Sequence, residues 1–407
     1  MKNKQASVFG GACIIAGVCV GAGMLGLPTV GAGPWIFYAC AIITVCMIFM
    51  TLSGCLLLDV YKHYDYAVSY NTVTQDLLGK SASVINNLSV YFVGAILLYA
   101  YTSSLGSSLA EPLHLTPRLA SVVSVVLCSA VVWWSTRAVD RVSVLLIILM
   151  VLTFIFSVSG LLGHMQWHIL ADSYALIDAH YSKYALALLP VSLTSFGYHH
   201  SVTSLRLYYR DERKAKWAIA GGTTIALTLY LVWMIGVFGN LPRHEFASVI
   251  AANGEVKVLI EKIGASLASE SVRMSLQAFS LAAIISSFIG VGLGVFDYLA
   301  DLFKIDTTQR KGRSQVWALT FILPLVFSLV APFGFVQAIA FAGVACTIWT
   351  CITPALLHLK LRRRSLKRPT SSSRLPLLLS WGLLFVGLLT LLVQGLYECQ
   401  LLPVFRG

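Results

Sequence analysis

Charged residues are scarce in this chain: Asp, Glu, Lys and Arg make up 11% of its 407 residues, against about 25% in a typical soluble domain. Apolar residues make up 57%, and the mean hydropathy is +0.80. Apolar runs of about 20 residues recur along the whole length, and each can cross a bilayer core about 30 Å thick. The composition excludes a soluble domain and predicts an all-α polytopic membrane protein.

Residue groups that would carry metal or catalytic chemistry are also lacking. None of the nine cysteines forms a C-x-x-C pair, and Cys346 and Cys351 have no histidine partner at metal-ligand spacing. The acidic and histidine residues are too dispersed for a convergent catalytic set. We therefore expect no metal, no cofactor and no enzymatic activity.

The net charge of +12 does not indicate a nucleic-acid partner. The excess of lysine and arginine lies in short loops between apolar runs, where insertion topology and anionic lipid account for it. The densest basic patch, residues 360–374, is predicted to contact membrane lipids.

We predict eleven membrane-spanning helices. With the N-terminus in the cytoplasm, the cytoplasmic segments hold 22 of the 29 lysines and arginines and the outer segments hold seven. The positive-inside rule therefore predicts a cytoplasmic N-terminus and a C-terminus outside. The predicted spans, numbered 1 to 11 in chain order, are 7–31, 33–60, 84–110, 117–136, 142–163, 184–207, 217–240, 271–300, 316–332, 334–359 and 375–398.

Two of these spans are broken in the middle. Span 1 contains Gly-Ala-Gly-Met-Leu-Gly-Leu-Pro at 21–28, and span 6 contains Thr-Ser-Phe-Gly-Tyr-His-His at 194–200. A membrane helix stays wound unless something replaces its lost backbone bonds, since each unpaired group costs several kcal/mol. Breaks at corresponding places in two halves are typical of a substrate site at the bilayer midplane. The alternative is that the small residues only allow close helix packing.

The positions of the breaks divide the chain into two units within one transmembrane domain, 1–407. The units are 1–163 and 184–359, each of five spans that begin with a broken one, and span 11 at 375–398 is additional. Because five is an odd number, the second unit must be inverted relative to the first. The polar stretch 241–270 suits short helices across an outer opening, or a simple connector.

Four stretches carry a resemblance to a known family. They are 10–28 in span 1, 190–204 (PVSLTSFGYHHSVTS), 76–79 (DLLG) and 290–301 (GVGLGVFDYLAD). In these stretches, and in order over nearly the whole length, the chain resembles the bacterial hydroxy and aromatic amino acid permeases, and the tyrosine-specific members most. The resemblance implies the inverted-repeat fold of amino acid transporters, residence in the bacterial inner membrane and coupling to the proton gradient.

An amino acid substrate carries two charges that must both be matched. Backbone N–H groups exposed at Gly21, Ala22, Gly23, Met24 and Leu25 form the positive end of a half-helix and suit a carboxylate. Carbonyls near Cys19 and around Ser195, Phe196 and Gly197 suit the ammonium group. Glycine at 21 and 23 would allow close approach and unusual dihedral angles. The candidate walls for an aromatic side chain are Phe196, Tyr198, Tyr99, Tyr101 and Phe341.

Candidates for ion coupling are fewer. His199 and His200 are the only histidines predicted deep in the membrane, and histidine titrates in the physiological range. The alternative is a neutral histidine that hydrogen bonds the broken helix. Ser286 and Ser287, opposite the first break, match a hydroxyl pair that helps to hold sodium in the wider superfamily, and simple backbone hydrogen bonding by these serines is the alternative. Asp59, Asp297 and Asp301 suit pairing with Lys or Arg at the cytoplasmic ends of their spans, and ordinary solvated helix ends are the alternative. Asp297 is a further proton candidate.

The function predicted is import of an aromatic amino acid by proton symport, with tyrosine preferred and tryptophan possible. Sodium coupling and a different neutral amino acid are the alternatives. A channel would require charged rings or a carbonyl filter, and the sequence contains neither pattern.

Overall fold

The structure, a computed structural model, describes residues 7–66, 68–173, 179–267, 269–330, 334–365 and 375–406. All regular secondary structure within these ranges is helical. Its α-helices are α1 (Val8–Cys19), α2 (Leu27–Gly31), α3 (Trp35–Tyr61), α4 (Tyr70–Leu78), α5 (Lys80–Ala110), α6 (Pro117–Trp134), α7 (Thr136–Gly163), α8 (Trp167–Leu170), α9 (Leu189–Ser195), α10 (Val202–Tyr209), α11 (Glu212–Phe238), α12 (Phe246–Ala251), α13 (Val256–Ser266), α14 (Glu270–Phe303), α15 (Arg310–Val330), α16 (Phe335–Thr347), α17 (Thr353–Ser365) and α18 (Leu375–Glu398). Shorter turns are 3₁₀ at Ala22–Gly26, Tyr181–Leu188, His199–Ser201 and Arg243–Glu245, and π at Ile348–Ile352.

Nine helices in the described residues are long and apolar enough to cross a membrane, and a bent pair, α1 with 22–31, makes ten. The segment 181–209 consists of shorter helices in series, so it does not count on length alone. The number eleven stays a prediction.

Several helices extend beyond the predicted spans, because hydropathy marks only the part within the lipid. For example, α11 begins at Glu212 rather than near 217. At this start the Asp211 side chain accepts hydrogen bonds from the amides of Arg213 and Lys214. Such a cap satisfies amides that the first helical turn leaves unpaired.

The helix packing repeats between the two halves. α1 packs on α11, and the corresponding helices of the other half, α9 and α3, also pack together. The contact of α5 with α16 is matched in the same way by that of α14 with α7. The predicted 5+5 repeat with broken helices 1 and 6 requires that helix contacts match between the two halves in this way.

Contacts at the two ends show that the broken segments run in opposite directions. At one end the Tyr209 hydroxyl, at the close of α10, donates to the Ser7 carbonyl before α1 at 2.6 Å. At the other end the Phe405 ring packs on Tyr184, before α9, with centroids 5.5 Å apart. Ser7 and Phe405 therefore lie at opposite ends of the bundle, as an odd number of crossings requires.

At the end that holds Ser7, Arg364 of α17 donates to the Asp76 carboxylate at 3.0 Å, and Tyr64 donates to the same oxygen at 2.6 Å. Arg364, one residue of the predicted lipid-binding patch, thus forms an intramolecular ion pair. Residues 366–374 of the patch lie outside the described residues. Asp59 pairs with Lys62 at 2.8 Å and Lys216 at 2.6 Å.

At the opposite end the 241–270 segment forms two short helices, α12 and α13. Between them lies Glu255, which accepts a hydrogen bond from the Ser107 hydroxyl of α5 at 3.3 Å and another from the Phe335 amide that begins α16. A carboxylate at this position caps a helix N-terminus from a distant part of the chain. Glu255 therefore joins the α12–α13 segment to α5 and α16.

We expect the stability that Glu255 contributes to fall as pH rises. Burial raises the pKa of this carboxyl above its ordinary value, against the opposing effect of its hydrogen bonds. When the pKa of a carboxyl is higher in the folded state than in the unfolded state, its contribution to the free energy of unfolding is fully present below the unfolded-state pKa. That contribution is lost as pH rises through the folded-state pKa. Thermal unfolding in detergent should show the wild type losing Tm relative to Glu255→Gln as pH rises, whereas parallel Tm curves would contradict this. Glu111→Gln, at an exposed carboxylate on the same face, is the control.

Candidate functional site

The first break lies between α1 and α2. Val20 and Gly21 are extended after Cys19, and the chain re-enters a 3₁₀ turn at Ala22, which bends the span by 50°. The Ala22 amide, which has lost its helical partner, donates to the Ser287 hydroxyl of α14 at 3.0 Å. The Met24 amide donates to the Gly21 carbonyl at 3.2 Å. The first break is thus held by α14 as well as by its own turn.

Gly21 and Gly23 have different roles in this break. A Cβ on Gly21 would lie 2.6 Å from the Ser287 oxygen, whereas a Cβ on Gly23 would lie 3.6 Å from the Ser195 oxygen, an ordinary contact. Gly23 is also partly exposed, while Ala22, Met24 and Leu25 are buried. Neither glycine has a positive φ, so a left-handed backbone does not explain glycine at either position. Close packing against Ser287 explains Gly21, whereas a Cβ on Gly23 would meet only an ordinary contact with Ser195.

The second break lies between α9 and α10, within the predicted 194–200. α9 ends at Ser195, Phe196 leaves helical geometry, and helix resumes through a 3₁₀ turn at His199–Ser201. The Gly197 amide donates to the Thr194 carbonyl at 3.0 Å, which closes the last turn. The Ser195 carbonyl is left at the end of a half-helix, as the Cys19 carbonyl is in the first break.

A single side chain joins the two breaks. The hydroxyl of Tyr230, on α11, lies 2.6 Å from the Cys19 carbonyl oxygen and 2.7 Å from the Ser195 carbonyl oxygen. Its ring packs on Phe196 with centroids 5.1 Å apart, and the residue is fully buried. Sequence reasoning missed Tyr230, because it lies in an unbroken span with nothing to distinguish it from other aromatic residues of the chain.

A second polar group lies beside this junction. Tyr101 of α5 is buried and hydrogen bonds with Ser287. The Ser287 hydroxyl also accepts the hydrogen bond from the Ala22 amide. Ser286 donates instead to Ala283 of its own helix at 3.1 Å. The predicted hydroxyl pair is therefore divided, and only Ser287 contacts the first break.

The predicted aromatic walls are placed unevenly. Phe196 is buried at the junction, next to Tyr230. Tyr198 is also buried, but its hydroxyl donates to the Met50 carbonyl of α3 at 2.8 Å. Tyr99 is buried and Phe341 is partly buried. The structure thus brings Phe196 and Tyr101 to the two breaks and directs the Tyr198 hydroxyl into a helix contact.

His199 and His200 have opposite surroundings. His199 is buried, stacked on Tyr198 with centroids 4.7 Å apart and edge-on to Trp349 at 6.2 Å. Within the described residues neither of its ring nitrogens has a hydrogen-bond partner, so the alternative of a histidine that bonds the broken helix does not fit it. His200 is exposed and does bond there, to the Gly197 backbone.

Asp297 and Asp301 agree with solvated helix ends rather than with ion pairs. Both are exposed on α14, and no cation of the described chain lies within 4.0 Å of either carboxylate. The Arg313 guanidinium donates to the Val132 carbonyl at 2.8 Å and to the Trp133 carbonyl. A cation at this position stabilises the C-terminus of α6.

A cavity of about 180 Å³ lies on the side of the breaks that holds Phe405. The half-helices α2 and α9 contribute Thr29, Val30 and Val191 to its wall, which Tyr184 and Phe405 also line. It borders the same half-helices whose inner ends form the breaks.

These features define a class: a helical membrane transporter with two broken helices that meet inside an inverted repeat. Residues 4–376 match the tryptophan/tyrosine permease family, and the chain belongs to that family. It is 40% identical over 418 residues to a tryptophan-specific transport protein of Pseudomonas aeruginosa, covering 99% of this chain and 98% of that protein. It is 36% identical to a tyrosine permease of Enterobacter agglomerans, covering 89% and 90%.

A solved structure has the same fold. MhsT in complex with L-phenylalanine superposes with a TM-score of 0.59 at 14% identity, over 97% of this chain and 99% of that one. The chain is accordingly a multi-pass membrane protein of an aromatic amino acid permease family, and not an enzyme.

Proposed function

We propose that this protein imports an aromatic amino acid across the bacterial inner membrane by proton symport with alternating access. The observation that carries the proposal is the meeting of two broken helices, where backbone groups of both breaks converge on Tyr230. Its N-terminus would lie in the cytoplasm and its C-terminus in the periplasm, as the basic residues indicate.

The charged groups of the substrate would be bound by the backbone. The carboxylate would approach at the partly exposed Gly23, beside the Ala22 amide that donates to Ser287. A half-helix N-terminus favours an anion there by about 0.3–2 kcal/mol. The ammonium group would be bound by the Cys19 and Ser195 carbonyls, at the negative ends of two half-helices. Phe196 would contact the aromatic side chain, with Tyr99, Tyr101 and Phe341 as further walls.

Tryptophan is the first substrate to test. The relative named for tryptophan is 40% identical to this chain, and the one named as a tyrosine permease is 36% identical. The sequence alone favoured tyrosine, so a competition profile that includes tyrosine, phenylalanine and leucine should accompany the test.

Protons are proposed as the coupling ion, and sodium is the alternative. His199 suits a proton acceptor because it is buried without a hydrogen-bond partner among the described residues, a state that calls for a functional explanation. A sodium site at Ser287 would compete with the Ala22 amide for the same hydroxyl oxygen.

We expect proteoliposomes of the full chain to accumulate labelled tryptophan under an inward proton gradient without sodium, and a protonophore to abolish the accumulation. His199→Gln should reduce accumulation at least tenfold while equilibrating exchange persists, because exchange needs no net proton movement. Accumulation that requires a sodium gradient would contradict proton coupling, and no uptake of any aromatic amino acid would contradict the proposed function. Protein-free liposomes are the control.

A further inference from the structure

The Tyr230 hydroxyl has one proton and two close carbonyl acceptors. At 2.6 and 2.7 Å, both distances are those of hydrogen bonds, yet the phenol can donate only one at a time. The second carbonyl oxygen is therefore left beside another oxygen without a proton between them. The three oxygens together form a group with more acceptors than donors.

The setting of these oxygens attracts a cation. Each carbonyl ends a half-helix, where the helix dipole is negative, and Tyr230 is fully buried, so water does not screen the potential. A primary ammonium group has three donors and a full positive charge, so its bonds to these oxygens are stronger than those of a phenol.

We propose that the Tyr230 hydroxyl is an internal substitute for the substrate's ammonium group. It bridges the two broken helices when no amino acid is bound, and it withdraws when the ammonium takes the same two carbonyls. This inference rests on the proposed function, and it adds a residue that acts in the return of the substrate-free transporter.

The substitution has a kinetic consequence. Net uptake requires the substrate-free transporter to change from the inward-facing to the outward-facing state with both carbonyls buried. Exchange of internal for external amino acid does not require this step. Without the phenol the two buried carbonyls would lack a donor in the return step, and an unsatisfied buried acceptor is costly. Loss of the hydroxyl should therefore slow net uptake and spare exchange.

The test is Tyr230→Phe in proteoliposomes of the full chain. We expect net uptake of labelled tryptophan to fall at least tenfold, exchange to stay within about twofold of wild type, and tryptophan affinity to rise several-fold. Tyr298→Phe removes another phenol that donates to a backbone carbonyl, that of Asn87 at 3.1 Å, and should not change the ratio of net uptake to exchange.

Equal loss of net uptake and exchange in Tyr230→Phe, or weaker tryptophan binding by this variant, would overturn the proposed role of Tyr230. Uptake of tryptophan by the wild-type protein would still support the proposed function in that case. If the variant does not fold, 3-fluorotyrosine placed at position 230 keeps the phenol and reports on it by ¹⁹F NMR. Its resonance should move on addition of tryptophan but not of indole-3-propionate, which lacks the ammonium. A resonance that moves with neither ligand, or equally with both, would overturn the inference.

Discussion

Replacing Gly23 by leucine is expected to weaken tryptophan binding by about 3 kcal/mol, roughly a hundredfold, while the amount of folded protein in the membrane stays near that of wild type. The side chain would project from the partly exposed Gly23 into the position where we propose the substrate carboxylate lies. Hydrogen bonds to charged groups contribute about 1.5–3 kcal/mol each. Binding is measured by scintillation proximity with labelled tryptophan, and folding by size-exclusion chromatography.

Gly21 provides the matched comparison. A Cβ there would collide with the Ser287 oxygen at 2.6 Å, while the Ser287 Cβ is 3.9 Å away. Gly21→Ala should therefore lower stability by about 1–3 kcal/mol, as overpacking does, and Ser287→Ala in the same chain should restore part of it. Wild-type affinity in Gly23→Leu would indicate that this glycine serves helix packing alone.

Replacing Arg243 by methionine should destabilise the protein by about 3–5 kcal/mol, as removing one partner of a buried ion pair does. Its guanidinium is fully buried and donates to the Ala32 carbonyl at 2.9 Å and the Gly33 carbonyl at 2.8 Å, where the first broken span ends. Asp172 lies 3.7 Å away. The substitution would leave a nearly buried carboxylate and two carbonyls without this cation.

Aromatic rings complete the surroundings of Arg243. Those of Tyr181 and Phe405 lie 4.6 and 4.5 Å from its guanidinium carbon. Lysine cannot make the same set of contacts, because it lacks the planar fork of donors; Arg243→Lys should therefore recover only part of the loss. Arg273→Gln, at an exposed arginine that pairs with Glu270 within its own helix turn, should change stability by less than about 0.5 kcal/mol. Unfolding curves in detergent that coincide for Arg243→Met and Arg273→Gln would contradict the assignment.

The breaks could be predicted because their cause is local. Glycine and proline clustered within a few residues weaken a helix at that point, and an interruption inside an apolar run stands out from its neighbours. The structure accordingly places the second interruption within its predicted stretch, and the first at Val20 and Gly21, where its predicted stretch begins. The Cys19 and Ser195 carbonyls lie at the ends of the two half-helices. Residue type left the individual roles open: Ser286 bonds its own helix, and Asp297 and Asp301 have no ion pair within the described chain.

The sequence by itself determined the class of protein, the course of the spans and the two places where the backbone is open, because hydropathy and helix breaking depend on neighbours along the chain. Only the tertiary structure decided what meets those openings. Tyr230 lies 211 positions from Cys19 and Arg243 lies 211 from Ala32, and each becomes distinctive only when packing brings its donor to a carbonyl that a broken helix has left unpaired. A buried polar group must find a partner wherever the fold provides one, and residue spacing carries no record of that choice.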